Sequence, residues 1–390
     1  MKKPVLTAFI HLVYLSPCLA QALPGKDRDS ALTGRKPLVT LVSPLLLNPA
    51  PGAAPVSVVI RVANNQTAWD LANMYMEWQV LVNGQPGQKG TIANLPPGPR
   101  QAANFRLPVR IPPGPKNEIF INLRYRLKKK SSKPAGQLPA MDQPLGSDQL
   151  LLRPAYPNDC TVRPDGELTF TDENGLFTIS AAACNLQFNK QNGWLLHYAV
   201  KGNSLLDEEK GLRPDFWQEP RLQLFSTSTA SNIAVVSADY SFPESFYLLH
   251  IRYTINAYGE IQVAQSLEVD SMQLTNNNGP RDSLQKDTTL PRFGMQWTMP
   301  AGLDSVTWYG RGPAGIGIYP GLLPQTDNWT DLRWWKISGK KGMGLLITAD
   351  SSLLTLNLAQ SRQGIQLNID KPGNHLPFGN YHYIYKISPL

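Results

Sequence analysis

Charge is scarce in this sequence. Asp, Glu, Lys and Arg make up 17% of its 390 residues, against about 25% in an ordinary globular domain. Histidine is scarcer still: five residues, at positions 11, 197, 250, 375 and 382, show no ligand spacing, so no metal site is expected. There is no Gly-x-Ser-x-Gly elbow and no phosphate-binding glycine loop, which excludes the nucleotide chemistry and elbow-type hydrolysis that those motifs serve. Pairing His375 with a serine would rest on sequence position alone, which a hydrolytic dyad does not obey. No cofactor is expected. Cysteine is nearly absent: Cys18 lies in the N-terminal leader, leaving Cys160 and Cys184, 24 residues apart. In an oxidising compartment that even pair is a disulfide candidate, and the competing reading is two buried thiols. Over residues 158–390 no amphipathic helix of three turns can be traced.

The first 22 residues have the layout of a signal peptide. Lys2 and Lys3 precede an apolar stretch from Val5 to Leu15, and small residues follow, with cleavage expected after Ala20 or Ala22. Pro17 directly before Cys18 argues against a lipoprotein box. No other segment approaches the roughly 18 apolar residues that a membrane-spanning helix needs. The expectation is a soluble chain, secreted or periplasmic. The net charge is +8, but two positive charges belong to the leader and four to Lys128, Lys129, Lys130 and Lys133. No basic stripe interleaves with aromatics, so nucleic acid is not an expected partner.

What is abundant is turn-forming residues: 34 prolines and 30 glycines. They punctuate short runs with strand character. Residues 37–127 read as one small sandwich. Ile119, Ile121, Leu123, Tyr125 and Leu127 alternate with Phe120, Asn122, Arg124 and Arg126, which puts the first set on a buried face and the second mostly outside. Asn83-Gly84 is a hairpin signal. About seven short strands in about 90 residues is immunoglobulin-like spacing. Residues 128–157, with the lysine run and Pro134, Pro139, Pro144 and Pro154, read as a linker. Residues 158–390 carry further strand-like runs at 194–200, 247–253, 261–266, 294–299, 332–338, 344–348, 365–369 and 381–387. A unit of that size without helices should be two large packed sheets, so the fold class is all-β.

Several blocks in this second unit occur in order: Asn192-Gly193-Trp194-Leu195; Leu212 to Pro220 (LRPDFWQEP); Leu290 to Met295 (LPRFGM); Trp308 to Pro313 (WYGRGP); Pro324-Gln325 with Thr330 to Trp334 (TDLRW); and Leu376 to Tyr383 (LPFGNYHY). Together they resemble the large C-terminal sandwich of family 2 glycoside hydrolase β-galactosidases, the unit that begins the small chain of two-chain enzymes. Residues 37–127, with Leu138-Pro139-Ala140 after them, resemble the immunoglobulin-like domain that precedes it. The resemblance implies an immunoglobulin-like sandwich followed by a galactose-mutarotase-like β-sandwich. The family's sugar-binding jelly roll, first immunoglobulin-like domain and (β/α)₈ barrel, which alone needs about 250 residues, have no counterpart here. Both catalytic carboxylates of the family belong to that barrel, so no catalytic residue carries over. The frame strands match, while the loops that would face the active site are rewritten after Pro220 and shortened after Pro313 and Asp370.

Three functional readings stay open on these residues. One is an accessory, small-chain-like component that acts on β-galactosides only with a barrel-bearing partner. Another is a free-standing carbohydrate-binding sandwich using Trp329, Trp335 or Arg311, since aromatic faces stack on sugars. The third is a structural or adhesion protein that kept the fold and lost the site. Neighbours in a strand point to opposite faces, so Trp334 and Trp335 cannot both belong to the core. Asn65-Gln66-Thr67 and Asn328-Trp329-Thr330 fit the N-glycosylation pattern.

Overall fold

The computed structural model describes residues 38–42, 58–67, 70–111, 116–128, 145–207, 209–216, 218–242, 247–270, 293–312, 315–321, 329–339, 342–350, 354–361, 364–370 and 379–390. The signal peptide expected over residues 1–22, the lysine run after Lys128, Leu138–Ala140, the Pro324-Gln325 block, Asn328 and His375 lie outside the described residues. Among the described residues the one helical element is a single 3-10 turn, Leu71–Asn73, whose first amides are capped by the Asp70 carboxylate through the Ala72 N–H at 2.8 Å. Everything else is strand or turn. Among the described residues no helix is long and apolar enough to cross a membrane.

The first domain contains β1 (Leu38–Leu41), β2 (Val58–Ala63), β3 (Met74–Val82), β4 (Gln85–Ile92), β5 (Ala102–Leu107), β6 (Ile119–Leu127) and β7 (Gly146–Arg153). They form two sheets, β1-β2-β5 and β4-β3-β6-β7. The expected alternation holds: Ile119, Ile121, Leu123 and Tyr125 of β6 and Met74, Met76, Trp78 and Val80 of β3 share one core with Val58, Ile60 and Val62 of β2. Asn83 and Gly84 close the β3–β4 hairpin with φ of 49° and 78°, the left-handed pair that a type I′ turn requires. One part of the linker expectation is corrected. Residues 146–153 form β7, which pairs with β6 from Gly146↔Tyr125 to Arg153↔Ile119. Leu152 enters the core, and that apolar burial outweighs the turn-rich character of the preceding stretch.

Residues 154–165 are not a loose tether either. They cross the outer side of the second domain, held by side-chain amides. Asn158 Nδ2 donates to the carbonyls of Arg333 and Ala349 at 3.2 and 2.7 Å. Gln262 Nε2 donates to the Cys160 carbonyl at 3.0 Å, and Asn256 Nδ2 to that of Arg163 at 3.1 Å.

Among the described residues the second domain has eighteen further strands. The first ten are β8 (Thr169–Glu173), β9 (Leu176–Ser180), β10 (Cys184–Asn189), β11 (Leu195–Val200), β12 (Asn203–Ser204), β13 (Leu212–Asp215), β14 (Arg221–Ala230), β15 (Ile233–Ser241), β16 (Tyr247–Ile255) and β17 (Ile261–Val269). Then come β18 (Gly294–Pro300), β19 (Leu303–Gly312), β20 (Gly315–Pro320), β21 (Trp329–Gly339), β22 (Gly344–Ala349), β23 (Leu354–Ser361), β24 (Gly364–Asp370) and β25 (Tyr381–Pro389). One sheet runs β8-β9-β10-β11-β13-β18-β24-β23, with β12 paired to β11; the other runs β14-β15-β16-β17-β25-β22-β21-β19-β20. The start of β21 also pairs with β23 and stitches the sheets together. Their inner faces enclose a core that includes Phe188, Tyr253, Tyr385, Trp297, Trp308 and Trp335. The strands that pattern alone left untraced include β14, an edge strand whose sequence RLQLFSTSTA is almost wholly solvent-facing. Another is β15, whose inward positions include the small residues Ala234 and Ala238.

The expected disulfide is corrected. Cys160 and Cys184 are both buried free thiols, and each has its own backbone acceptor. Cys160 Sγ lies 3.2 Å from the Thr348 carbonyl, and Cys184 Sγ 3.5 Å from that of Ala257. Burial pushes the Cys160 thiol up to about 12, with Asp350 adding to the rise, and the Cys184 thiol up to about 11. Since the thiolate is the nucleophile, iodoacetamide at pH 8 should label neither residue in the native protein. Denatured without reductant, both should be labelled. A disulfide-linked peptide in that second digest would restore the bridge.

Candidate functional site

A concave feature lies where the two domains meet. The outer face of the first domain's second sheet is not fully polar. Leu81 and Phe120, directly opposite each other on β3 and β6, form an apolar cluster with Tyr309 and Ile316 of the β19–β20 hairpin. Leu151, Ile318 and Trp334 pack against it. Phe120, expected outside by alternation, is therefore 8% exposed. The second domain covers it. The approach is close: a Cβ on Gly84 would sit 2.6 Å from the Tyr309 ring.

Polar groups fix the register of this contact. Gln149 of β7 treats Ile316 of β20 as a neighbouring strand would. Its Nε2 donates to the Ile316 carbonyl at 2.8 Å and its Oε1 accepts the Ile316 N–H at 2.7 Å. Among the described strands β20 pairs only with β19, so the side-chain amide satisfies part of an open sheet edge. Beside it, Glu118, which precedes β6 and is almost fully buried, receives a two-pronged contact from Arg333 of β21. The distances are Nη2–Oε1 2.6 Å and Nε–Oε2 3.0 Å. The Tyr309 hydroxyl donates to the same carboxylate, and the Arg333 guanidinium lies 5.6 Å over the Tyr309 ring. Burial, then the Glu118 charge, pushes the Tyr309 hydroxyl well above its usual range, which keeps it a donor. A planar guanidinium on a carboxylate is the strongest directional ion pair available to side chains.

At the rim, Arg311 Nε donates to Asp331 Oδ2 at 2.5 Å. Asp331 has a φ of 54°, uncommon for a residue with a Cβ. It lies in the irregular stretch where β21 passes from its pairing with β23 to its pairing with β19, and its carbonyl accepts Arg333 Nη1. The cavity enclosed by these groups is about 720 Å³ and is also lined by Ser147, Asp148, Pro154 and Ala155. Each of its carboxylates has a donor: Glu118 the guanidinium and Tyr309, Asp331 the Arg311 side chain, Asp148 the Tyr125 hydroxyl at 2.5 Å. Retaining glycoside hydrolysis needs one carboxyl to give a proton and a second, about 5 Å away, to attack. Glu118, with both oxygens committed, is arranged to hold the domains together.

The three residues proposed for sugar contact separate. Arg311 reaches the cleft, with its side chain 57% exposed. Trp335 is corrected: it is 2% exposed in the second core, because at its position the inner face of β21 lies against the opposite sheet. Its neighbour Trp334, on the other face, joins the interdomain cluster, as strand alternation requires. Trp329 opens β21 with its backbone opposite Leu356, and its side chain lies outside the described structure. Among the described residues no group of three or more His, Cys, Asp or Glu could hold a metal. Glu118 and Gln149 were not singled out from sequence. A lone acid before a strand and a lone amide within one carry no spacing signal.

Two family models match the chain. The β-galactosidase domain 4 model covers residues 60–145, and the β-galactosidase small chain model covers residues 180–315. A β-galactosidase of Priestia megaterium is 24% identical over 315 residues, which is 69% of this chain and 28% of that protein. The chain thus spans little more than a quarter of the length of this curated relative. Among solved structures, galactose 1-epimerase from Lactobacillus acidophilus aligns with 58% of this chain and 99% of its own, at 12% identity and a TM-score of 0.35. The GH36 α-galactosidase AgaB from Geobacillus stearothermophilus aligns with 57% of this chain and 41% of its own, at 11% identity and a TM-score of 0.36.

Proposed function

From a chain that resembles the C-terminal part of β-galactosidase, with a domain 4 unit followed by a small-chain unit, we propose that this protein is an accessory, small-chain-like component of a family 2 β-galactosidase. It supplies sandwich scaffolding and loop surfaces, and the catalytic carboxylates come from a separate barrel-bearing chain. The observation that carries this reading is that both matched units occur in order, and that the two sandwich domains containing them are joined face to face through Glu118–Arg333 and Gln149–Ile316. Two domains held face to face by these contacts suit a docking component, because a preorganised surface loses little entropy on association. The signal-peptide-like residues 1–22 support export, so assembly would take place outside the cytoplasm.

The test is complementation. The full chain alone should leave o-nitrophenyl β-galactoside intact. Mixed with a barrel-bearing β-galactosidase chain from the same source, it should form a stable complex and raise that chain's turnover. Turnover by the pure chain, or an unaffected large chain that does not bind it, would reject the proposal. Free-standing sugar binding through tryptophans is the weaker alternative, since Trp335 is enclosed in the core.

A further inference from the structure

A sheet edge presents unpaired amides and carbonyls, so proteins shorten, charge or cover their edges. Most of the described edges here are guarded in one of these ways. β20 has Gln149 laid across its backbone at Ile316. β4 carries Pro86 and Lys89, β8 ends in Asp172 and Glu173, and β1 is only four residues long. β14 is not guarded. It is ten residues long, contains no lysine, proline or acid, and pairs among the described strands only with β15. Its one charge, Arg221, precedes a bulge between Leu222 and Leu224, which leaves residues 224–230 as a regular, uncharged run.

Both faces of that run are open. Leu224, Ser226 and Ser228 lie on the outer face, opposite Asp239, Ser237 and Val235 of β15. Phe225, Thr227 and Thr229 point to the core side, opposite Ala238, Val236 and Ala234. Thr227 and Thr229 are nevertheless exposed, so the facing sheet does not cover them, and Leu224 is 55% exposed. Directly opposed residues of an antiparallel pair point the same way, so this strand matches a copy of itself only in registers that oppose odd with odd positions. Centred on Thr227, such a register sets Leu224 against Ala230 of the second copy, Phe225 against Thr229, Ser226 against Ser228 and Thr227 against itself. No charge opposes a like charge. Hydroxyls meet hydroxyls and an aromatic ring meets a β-branched side chain, the combinations that favour cross-strand pairing. We propose that β14 is a homodimerisation edge, where two copies of this chain join antiparallel about a twofold axis at Thr227 and continue one sheet through both. Pairing consumes this edge, and β20 at the other end of the sheet is covered by the first domain, so the assembly closes at two. The dimer does not rest on the accessory-chain reading, because β14 and the interdomain joint lie at opposite ends of that sheet.

A single strand pair is smaller than a standard protein interface, so the dissociation constant should be micromolar. Sedimentation equilibrium of the full chain, loaded at about 1 to 300 μM, should show a monomer–dimer equilibrium. Thr227→Lys and Thr227→Glu each set like charges face to face at the axis and should be monomeric throughout. Mixed in equal amounts, the two variants should dimerise again, because lysine then faces glutamate. Thr171→Lys, on the guarded edge β8, should dimerise like wild type. Thr227→Cys should cross-link to a second copy on mild oxidation, since opposed residues bring their Cα atoms within the roughly 4.4–6.8 Å that a disulfide spans. Wild type should not cross-link, because Cys160 and Cys184 are buried. Thr227 is exposed, and circular dichroism would confirm that its variants fold. The proposal is overturned if the wild-type chain stays monomeric at every loading or grows past the dimer. It is equally overturned if Thr227→Lys dimerises like wild type, if the lysine–glutamate mixture stays monomeric, if Thr171→Lys abolishes the dimer, or if Thr227→Cys does not cross-link.

Discussion

Glu118→Ala should destabilise the protein by about 3–5 kcal/mol, the range for removing one partner of a buried ion pair. The side chains of Glu118 and Arg333 are only 4% and 12% exposed, so the abandoned guanidinium cannot regain full hydration without separating the domains. The Tyr309 hydroxyl loses its acceptor in the same step. Urea unfolding followed by tryptophan fluorescence would measure the loss. The two domains have separate cores, so the variant should also split a single transition into two. The double change Glu118→Leu with Arg333→Met should cost much less than the single change, because apolar isosteres of a buried pair are often near neutral. A loss below about 1 kcal/mol for Glu118→Ala would mean that the latch does not hold the domains together.

Trp297→Ala should cost a comparable 3–5 kcal/mol or so, the usual range for truncating a buried tryptophan. Trp297 has no exposed surface, lies on β18 between Leu212 of β13 and Leu367 of β24, and packs 6.2 Å from the Tyr198 ring. Its indole N–H also satisfies the Leu205 carbonyl at 3.2 Å, so truncation both opens a cavity and orphans a buried acceptor. This effect belongs to the second domain's own core. With the Glu118–Arg333 latch intact, the two domains should still unfold in one transition, shifted to lower urea, and a transition unchanged within about 1 kcal/mol would contradict that packing.

The two predictions differ in how visible their residues were beforehand. Trp297 stands in a run that reads as a strand from its own composition. Glu118 does not stand out. Its partner Arg333 is 215 positions away, and nothing in Asn117-Glu118-Ile119 distinguishes a domain latch from a solvated turn. Phe120 was read one way by its own strand and another by the assembled protein. Alternation assigned it correctly to the face opposite Ile119 and Ile121, but not to an interface, because that depends on which surface a second domain covers. The cysteines follow the same logic. An even pair of cysteines permits a bridge in an oxidising compartment, but backbone carbonyls at Thr348 and Ala257 take each thiol instead.

By itself, the sequence determined the all-β class, the two-sandwich order, the positions of β6 and of eight second-domain strands, and the opposite faces of Trp334 and Trp335. These follow from local rules: side chains alternate along an extended backbone, and Asn83-Gly84 turns it. Only the tertiary structure decided that β7 belongs to the first domain, that Trp335 rather than Trp334 is enclosed, that Glu118 meets Arg333, and that Arg311 and Asp331 line a cleft. Those outcomes depend on which faces dock across long sequence separations, where burial and ion pairing act between surfaces that no local pattern encodes.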